Sequence, residues 1–240
     1  MKNEELTLTV GEYIDELLLV FELVSVLSDK NGCRTLRLRS RDGGKDVVLH
    51  CFPREYVAYE KLYPIRAENV PLIYDVVTLC DGQAVLEEYI DGVTVAQMME
   101  VEKYTYKNAK KVISGVCDAL DILHGMGLVH RDVKPENVMV TSGGRIVLID
   151  YNASRQVSNV TKDTVIMGSV GYASPEQLGI LQSDARTDIY ALGVMLNVML
   201  TGKHPSESIA RGRAGRIVRK CVNVNPSDRY QSAYKLKCGL

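Results

Sequence analysis

The apolar positions change period along the chain. Residues 21 to 52 hold three runs that read as strands: Phe21 to Leu27, Arg34 to Arg39 and Asp46 to Phe52. In the second, Leu36 and Leu38 alternate with Arg37 and Arg39, the period of two that puts every other side chain on one face of a sheet. Asn31-Gly32 joins the first pair and Asp42-Gly43-Gly44 the second; such residues accept the positive φ that tight hairpin turns need. Arg54 to Tyr63 reads as a helix stopped by Pro64. Two more strands follow, near Ile73 to Leu79 and Ala84 to Tyr89, across Asp81-Gly82. Ahead of all of these, Glu12 to Leu18 has the spacing of a short helix. Beyond Gly92 the period turns helical, apart from the apolar run Ile146 to Ile149, which reads as a strand: Val112, Val116, Leu120 and Leu123 recur at three- and four-residue steps, and Gly125 and Gly127 close the run. Residues 187 to 200 are apolar nearly all round, which predicts a buried helix, ended by Gly202 and Pro205.

This order predicts an α+β chain in two lobes. Residues 1–20 form an N-terminal extension, 21–91 a five-stranded antiparallel lobe with one helix, and 92–240 a mainly helical lobe, with the hinge near Asp91-Gly92. With 46% apolar residues in 240, the core is substantial. A net charge of −1 gives no global attraction to polyanions. The local basic runs, Arg34, Arg37, Arg39 and Arg41 and then Arg213, Arg216, Arg219 and Lys220, carry no interleaved aromatics for base stacking. They read as solvated faces, and no nucleic-acid partner is expected. The six cysteines are scattered without a Cys-x-x-Cys pair, which argues against zinc or a disulfide framework and fits a cytoplasmic protein. The N-terminus is polar, and the longest apolar stretch, Ile189 to Leu200, falls short of the ~20 residues a bilayer span needs, so no membrane segment is expected.

The chemistry lies in an ordered string: His130-Arg131-Asp132-Val133-Lys134-Pro135-Glu136-Asn137, then Ile149-Asp150-Tyr151-Asn152, then Ala173-Ser174-Pro175-Glu176. It resembles the catalytic half of a protein kinase, bacterial serine/threonine kinases in particular, with Asp-Tyr-Asn for Asp-Phe-Gly and Ser-Pro-Glu for Ala-Pro-Glu. The resemblance covers about residues 21 to 240 and implies the bilobal kinase-like fold, ATP and Mg²⁺, and a protein substrate with a serine or threonine acceptor. Phosphoryl transfer depends on positioning and charge neutralisation. By resemblance Asp132 would accept the acceptor hydroxyl's proton, Lys134 would contact the γ-phosphate, and Asn137 and Asp150 would hold magnesium. Leu27, Val48, His50, Glu88, Ile90, Glu136 and Met139 would surround the nucleotide. The family further implies a structural ion pair between Glu176 and Arg229, and an Asp188 that holds the backbone of the 130–132 turn. Ser169 stands at the family's threonine. Arg131 would receive a phosphate in the activation segment, for which Ser158, Thr161 and Thr164 are candidates.

The amino-terminal half departs from the family. Its glycine-rich loop becomes Ser28-Asp29-Lys30-Asn31-Gly32-Cys33, which predicts a tight two-residue turn with Asp29 turned toward the phosphates. The strand that should end Val-Ala-Ile-Lys reads Val47-Val48-Leu49-His50, so an imidazole stands where a lysine grips the phosphates. Glu87 takes the gatekeeper position, where an unpaired buried carboxylate is costly and His50 is a candidate partner. Glu55 and Glu60 are both candidates for the helix glutamate. Lys30, Lys45, Arg37 and Arg54 are the cations near enough in sequence to substitute for the lysine. Three functions follow: a divergent serine/threonine kinase, a catalytically impaired pseudokinase that binds or scaffolds, or a small-molecule kinase on the same fold, against which the resemblance of residues 168–176 to a protein-docking segment argues.

Overall fold

The computed structural model describes residues 8–157, 171–178 and 183–240. The chain divides into two compact units. One comprises residues up to Ala67 with Pro71–Ile90, and the other Glu68–Val70 with Asp91–Leu240.

The first unit is built on a five-stranded antiparallel sheet ordered β1-β2-β3-β5-β4, from β1 Phe21–Lys30, β2 Cys33–Ser40, β3 Asp46–Phe52, β4 Ile73–Leu79 and β5 Gly82–Glu88. β3 and β4 start and stop where the alternation predicts. The β1–β2 turn has Asn31 at φ 54° and Gly32 at φ 76°, with Lys30 paired to Cys33, the two-residue hairpin the Asn-Gly pair calls for. The sheet has two covered faces. Leu36, Leu38, Val47, Leu49 and Cys51 make a core beneath α1, Val10–Val20, whose Val10, Tyr13, Ile14, Leu17 and Leu18 pack on it. α1 starts in a full capping box between Thr9 and Glu12. On the opposite face of β3, where Val48, His50 and Phe52 are buried, His50 and Phe52 meet Tyr59 of the second helix, α2, Val57–Leu62. α2 is shorter than the Arg54-to-Tyr63 helix that the sequence predicts. Its N-cap Tyr56 lends no side-chain bond, and the Tyr56 amide instead donates to Gln83 Oε1 at 2.9 Å, which holds the entry out of helical geometry.

The second unit is mainly helical. It holds β6 Gly92–Thr94, α3 Val95–Val101, α4 Tyr106–Gly125, β7 Leu128–Val129, β8 Val138–Thr141, β9 Ile146–Leu148, β10 Arg155–Gln156, α5 Ala185–Thr201, α6 Gly212–Cys221 and α7 Ala233–Gly239. Two small sheets, β6-β8-β9 and β10-β7, frame the loops between them. α5 is the buried helix of the apolar run. Gly202 at φ 69° ends it in a left-handed cap. The one amide inside it, Asn197, is fully buried and satisfied. Its Nδ2 donates to the carbonyls of Lys203 and Ser208, and its Oδ1 accepts from the Ala210 amide, so a polar residue in an apolar helix ties down the loop that follows. All six cysteines are free thiols. No helix among the described residues is long and apolar enough to cross a membrane.

Candidate active site

The catalytic string lies in the second unit, on loops set by buried elements. β7 leads into His130, a short 3-10 turn, Pro135–Asn137, closes the loop, and β8 and β9 carry the chain to Asp150. Asp188, in the first turn of α5, is fully buried and accepts three bonds: from the His130 amide at 2.9 Å, the Arg131 amide at 2.8 Å and His124 Nε2 at 2.8 Å. That is the backbone-holding role the resemblance implies for it. Arg131 sits at φ 70° and Asp150 at φ 65°, left-handed conformations that a side chain adopts only when its surroundings hold it there.

Asp132, Lys134, Asn137 and Asp150 lie together. Asp132 Oδ2 accepts from Lys134 Nζ at 2.7 Å and from Asn137 Nδ2 at 3.0 Å, and the same amide nitrogen bonds the Asp132 carbonyl at 2.9 Å. The Ile149 amide donates to the Asn137 carbonyl at 2.9 Å, which brings Asp150, the next residue, alongside Asn137. His130 is the common neighbour. Its buried ring accepts from the Asp132 amide on Nδ1 and donates from Nε2 to the Ile149 carbonyl. Burial holds its pKa below the ordinary imidazole value, against the pull of the Asp188, Asp150 and Asp132 carboxylates. The ring of Tyr151, which replaces the family's phenylalanine, packs edge-on against His130 at 5.3 Å, and its hydroxyl donates to the Leu148 carbonyl at 2.7 Å.

Magnesium and ATP are the groups the family implies. The donor set suits a hard cation. Asn137 spends its amide nitrogen on Asp132 and so offers its oxygen, and Asp150 adds a carboxylate. Magnesium commonly takes one or two protein oxygens and completes its shell with phosphate and water. Among the described residues no cluster of three or more histidine, cysteine or acidic side chains forms a closed cage.

Of the residues named for the nucleotide, Glu136 and Met139 belong to this unit. Glu136 is exposed, and Met139 is half-buried on β8, between Thr94 and Val147. Leu27, Val48, His50, Glu88 and Ile90 belong to the first unit. Leu27 is exposed on the edge strand, while Val48 and Ile90 are buried. Glu88 binds the Leu72 amide. His50 is buried and paired: Nε2 meets Glu87 Oε1 at 3.0 Å and Nδ1 meets Thr35 Oγ1 at 3.1 Å. Its ring lies nearly parallel to Phe52, 5.7 Å away, and 6.0 Å from Tyr59 of α2. Glu55 and Glu60, the candidate helix glutamates, are both exposed, and the partner of His50 is Glu87 of β5. Two of the four candidate replacement cations, Arg37 and Arg54, have local occupations. Arg37 pairs with Asp46 and covers the Tyr89 ring at 4.0 Å, and Arg54 lies over Tyr56 at 5.1 Å. Asp29 is neutralised by Arg34 at 3.1 Å.

The turn Pro175–Leu178 is anchored by Glu176, which takes both terminal nitrogens of the buried Arg229 at 2.6 and 2.9 Å and the Thr187 hydroxyl at 3.1 Å. Burial alone would raise the Glu176 pKa, but the bonds from Arg229 bring it below the ordinary carboxylate value. Tyr172 is pushed up to about 12 by burial and by the Glu136 charge. Ser158, Thr161, Thr164 and Ser169 lie outside the described residues. The sequence reading misses His124, Thr35, Tyr59 and Gln177. Tyr59 is buried on α2 and His124 is half-buried in the last turn of α4, and neither has a motif around it. Gln177 carries one signal, its place directly after Glu176.

The protein kinase domain family matches residues 36–237, and the chain belongs to that family. It is 31% identical over 197 residues to a probable serine/threonine-protein kinase PknB of Lactococcus lactis, covering 79% of this chain and 31% of that protein. It is 32% identical over 184 residues to the serine/threonine-protein kinase PknB of Mycobacterium tuberculosis, covering 65% and 29%. A probable serine/threonine-protein kinase of Clostridium perfringens is 36% identical over 225 residues, covering 83% and 32%. The chain thus spans about three tenths of the length of these relatives. The crystal structure of the Mycobacterium tuberculosis PknI kinase domain superposes with a TM-score of 0.69 at 20% identity, over 92% of this chain and 94% of that one, which shows the shared kinase-like fold of antiparallel β lobe and helical lobe.

Proposed function

We propose that the chain is an ATP- and magnesium-dependent serine/threonine protein kinase that works in the cytoplasm on protein hydroxyls. The observation that carries this reading is the bonded cluster of Asp132, Lys134 and Asn137 with Asp150 alongside. A remnant kept only for folding has no need of an Asp–Lys–Asn cluster on a loop already held by Asp188. Asp132 orients the acceptor hydroxyl and takes its proton as the oxygen attacks the γ-phosphorus and ADP departs. Lys134 balances the charge of the phosphoryl group. Asn137 and Asp150 would hold magnesium, which draws charge off the phosphates.

A second reading, a binding module without turnover, is favoured by one observation: both ring nitrogens of His50 are engaged by Glu87 and Thr35, so the position that grips phosphate in relatives is turned to a neighbour within the sheet. A thermal-shift titration with ATP and Mg²⁺ separates the two. Transfer of labelled phosphate to the chain or to a basic protein substrate, lost by about a thousandfold in Asp132→Asn, is the expected result. Absence of both stabilisation and transfer at roughly a hundred times a micromolar Kd would leave the binding module as the reading.

A further inference from the structure

Arg131 is a non-glycine residue in the left-handed region directly before Asp132. The peptide on its amino side is held by α5, since the Arg131 amide donates to Asp188 Oδ1 at 2.8 Å. The peptide on its carboxyl side is the one that carries Asp132. Its amide donates to His130 Nδ1, and its carbonyl accepts from Gln177 Nε2 at 2.8 Å. Gln177 is only 2% exposed, and its Oε1 accepts from the Ser174 amide at 3.0 Å and hydroxyl at 3.3 Å. The turn that carries it cannot drift, because Glu176 is locked to Arg229 and Thr187. One side chain therefore spans from the turn Pro175–Leu178 to the backbone of the catalytic loop.

We propose that Gln177 is a positioning residue for phosphoryl transfer: its amide fixes the angle of the Arg131–Asp132 peptide, and thereby the aim of the Asp132 carboxylate, relative to the turn Pro175–Leu178, where the kinase reading places the protein substrate. This rests on the kinase reading above and deepens it. A misaimed general base costs rate while leaving the nucleotide's own contacts in place. The bond has two separable ends. Gln177→Met removes both in a side chain of similar volume. Gln177→Glu keeps an acceptor for Ser174 and loses the donor to Arg131.

The test uses the full chain. Amide hydrogen exchange at residues 130–133 is followed by mass spectrometry, alongside initial rates of phosphorylation of a basic protein substrate with ATP and Mg²⁺, in wild type and both variants. Exchange of the Asp132 amide should accelerate about tenfold in both, kcat should fall roughly tenfold, and KM for ATP should stay unchanged. Exchange in α5 should match wild type and so report an intact fold. Wild-type exchange at Asp132 in Gln177→Met overturns the proposal, as does faster exchange with unchanged kcat. Wild-type behaviour in Gln177→Glu alone would assign the residue to the turn and overturn it equally. A wild-type chain that transfers no phosphate defeats the proposed function, while the exchange measurement still decides whether the clamp exists.

Discussion

At the scale of single residues the chain divides its substitutions between conservation of charge placement and its loss. Asp132, Lys134 and Asn137 form one bonded cluster, whereas His50 replaces a permanent cation with a group whose two nitrogens serve Thr35 and Glu87. A lysine at that position would reach beyond the sheet with a full charge and leave Glu87 a cationic neighbour. A charge-assisted hydrogen bond is worth about 1.5–3 kcal/mol net, so His50→Lys should raise ATP affinity or turnover roughly tenfold to a hundredfold. Calorimetric titration of wild type and variant checks this, and unchanged or weaker binding would mean that His50 is no deficit. His130 supplies a pH prediction. Burial depresses its folded pKa below 6.5, the unfolded chain takes the proton first, and the contribution to stability is therefore full above about pH 6.5 and declines as pH falls toward the folded value. Urea unfolding between about pH 7 and pH 5 should show stability dropping by up to ~1.4 kcal/mol per pH unit from this one group. His130→Gln, which cannot protonate, should show a flatter slope over the same window even though its midpoint is lower.

At the scale of elements, periodicity reports what a face buries, and it says little about where backbone bonds are diverted. β3, β4 and α5 follow directly from the alternation, the Asp81-Gly82 turn and the all-apolar run. α2 does not reach its predicted length, because Gln83, 27 positions later in the chain, claims the Tyr56 amide. The catalytic string is legible because its residues are adjacent in sequence. The His50–Glu87 pair spans 37 positions and becomes visible only through strand register, in which β3 and β5 are antiparallel neighbours. Gln177 is marked in sequence only by its place after Glu176, for a related reason: a glutamine in a turn has no period, and its buried bond to Arg131 crosses 46 positions. Helix packing yields its own prediction. Gly193 lets α5 lie against α6, and a Cβ there would collide with the Cys221 side chain. Gly193→Ala should destabilise by about 1–3 kcal/mol through overpacking, despite the better helix propensity of alanine. Removal of one partner from the buried pair, Arg229→Ala, should cost about 3–5 kcal/mol, because Glu176 is left charged and enclosed. Both are read from thermal melts, and a Gly193→Ala protein as stable as wild type would show that α5 and α6 can part without penalty.

At the scale of the whole molecule, the family match begins at residue 36, yet the sheet it describes is already covered by a helix that lies before it. α1 places Val10, Tyr13, Ile14, Leu17 and Leu18 over Leu36, Leu38, Val47, Leu49 and Cys51, and its first amide is capped by Asp81 at 2.7 Å, next to the β4–β5 turn. Full burial of a large aliphatic side chain is worth about 1.5–3 kcal/mol. These five are only partly buried, so a contribution near 1 kcal/mol each is the fair scale, against which ordering of the helix must be set. The paired substitution Ile14→Ala with Leu17→Ala should therefore cost roughly 2 kcal/mol and lower the melting temperature by about 4–8 °C for a chain of this size. Because the two substitutions touch only the first unit, the loss should be uneven. Amide exchange in β1, β2 and β3 should accelerate first, with α4 and α5 unaffected until global melting. Uniform acceleration across both units would mean that the chain unfolds as one cooperative block. Unaltered exchange and melting would mean that α1 lies on the sheet without stabilising it, and β1, β2 and β3 would then owe their order to their own pairing alone.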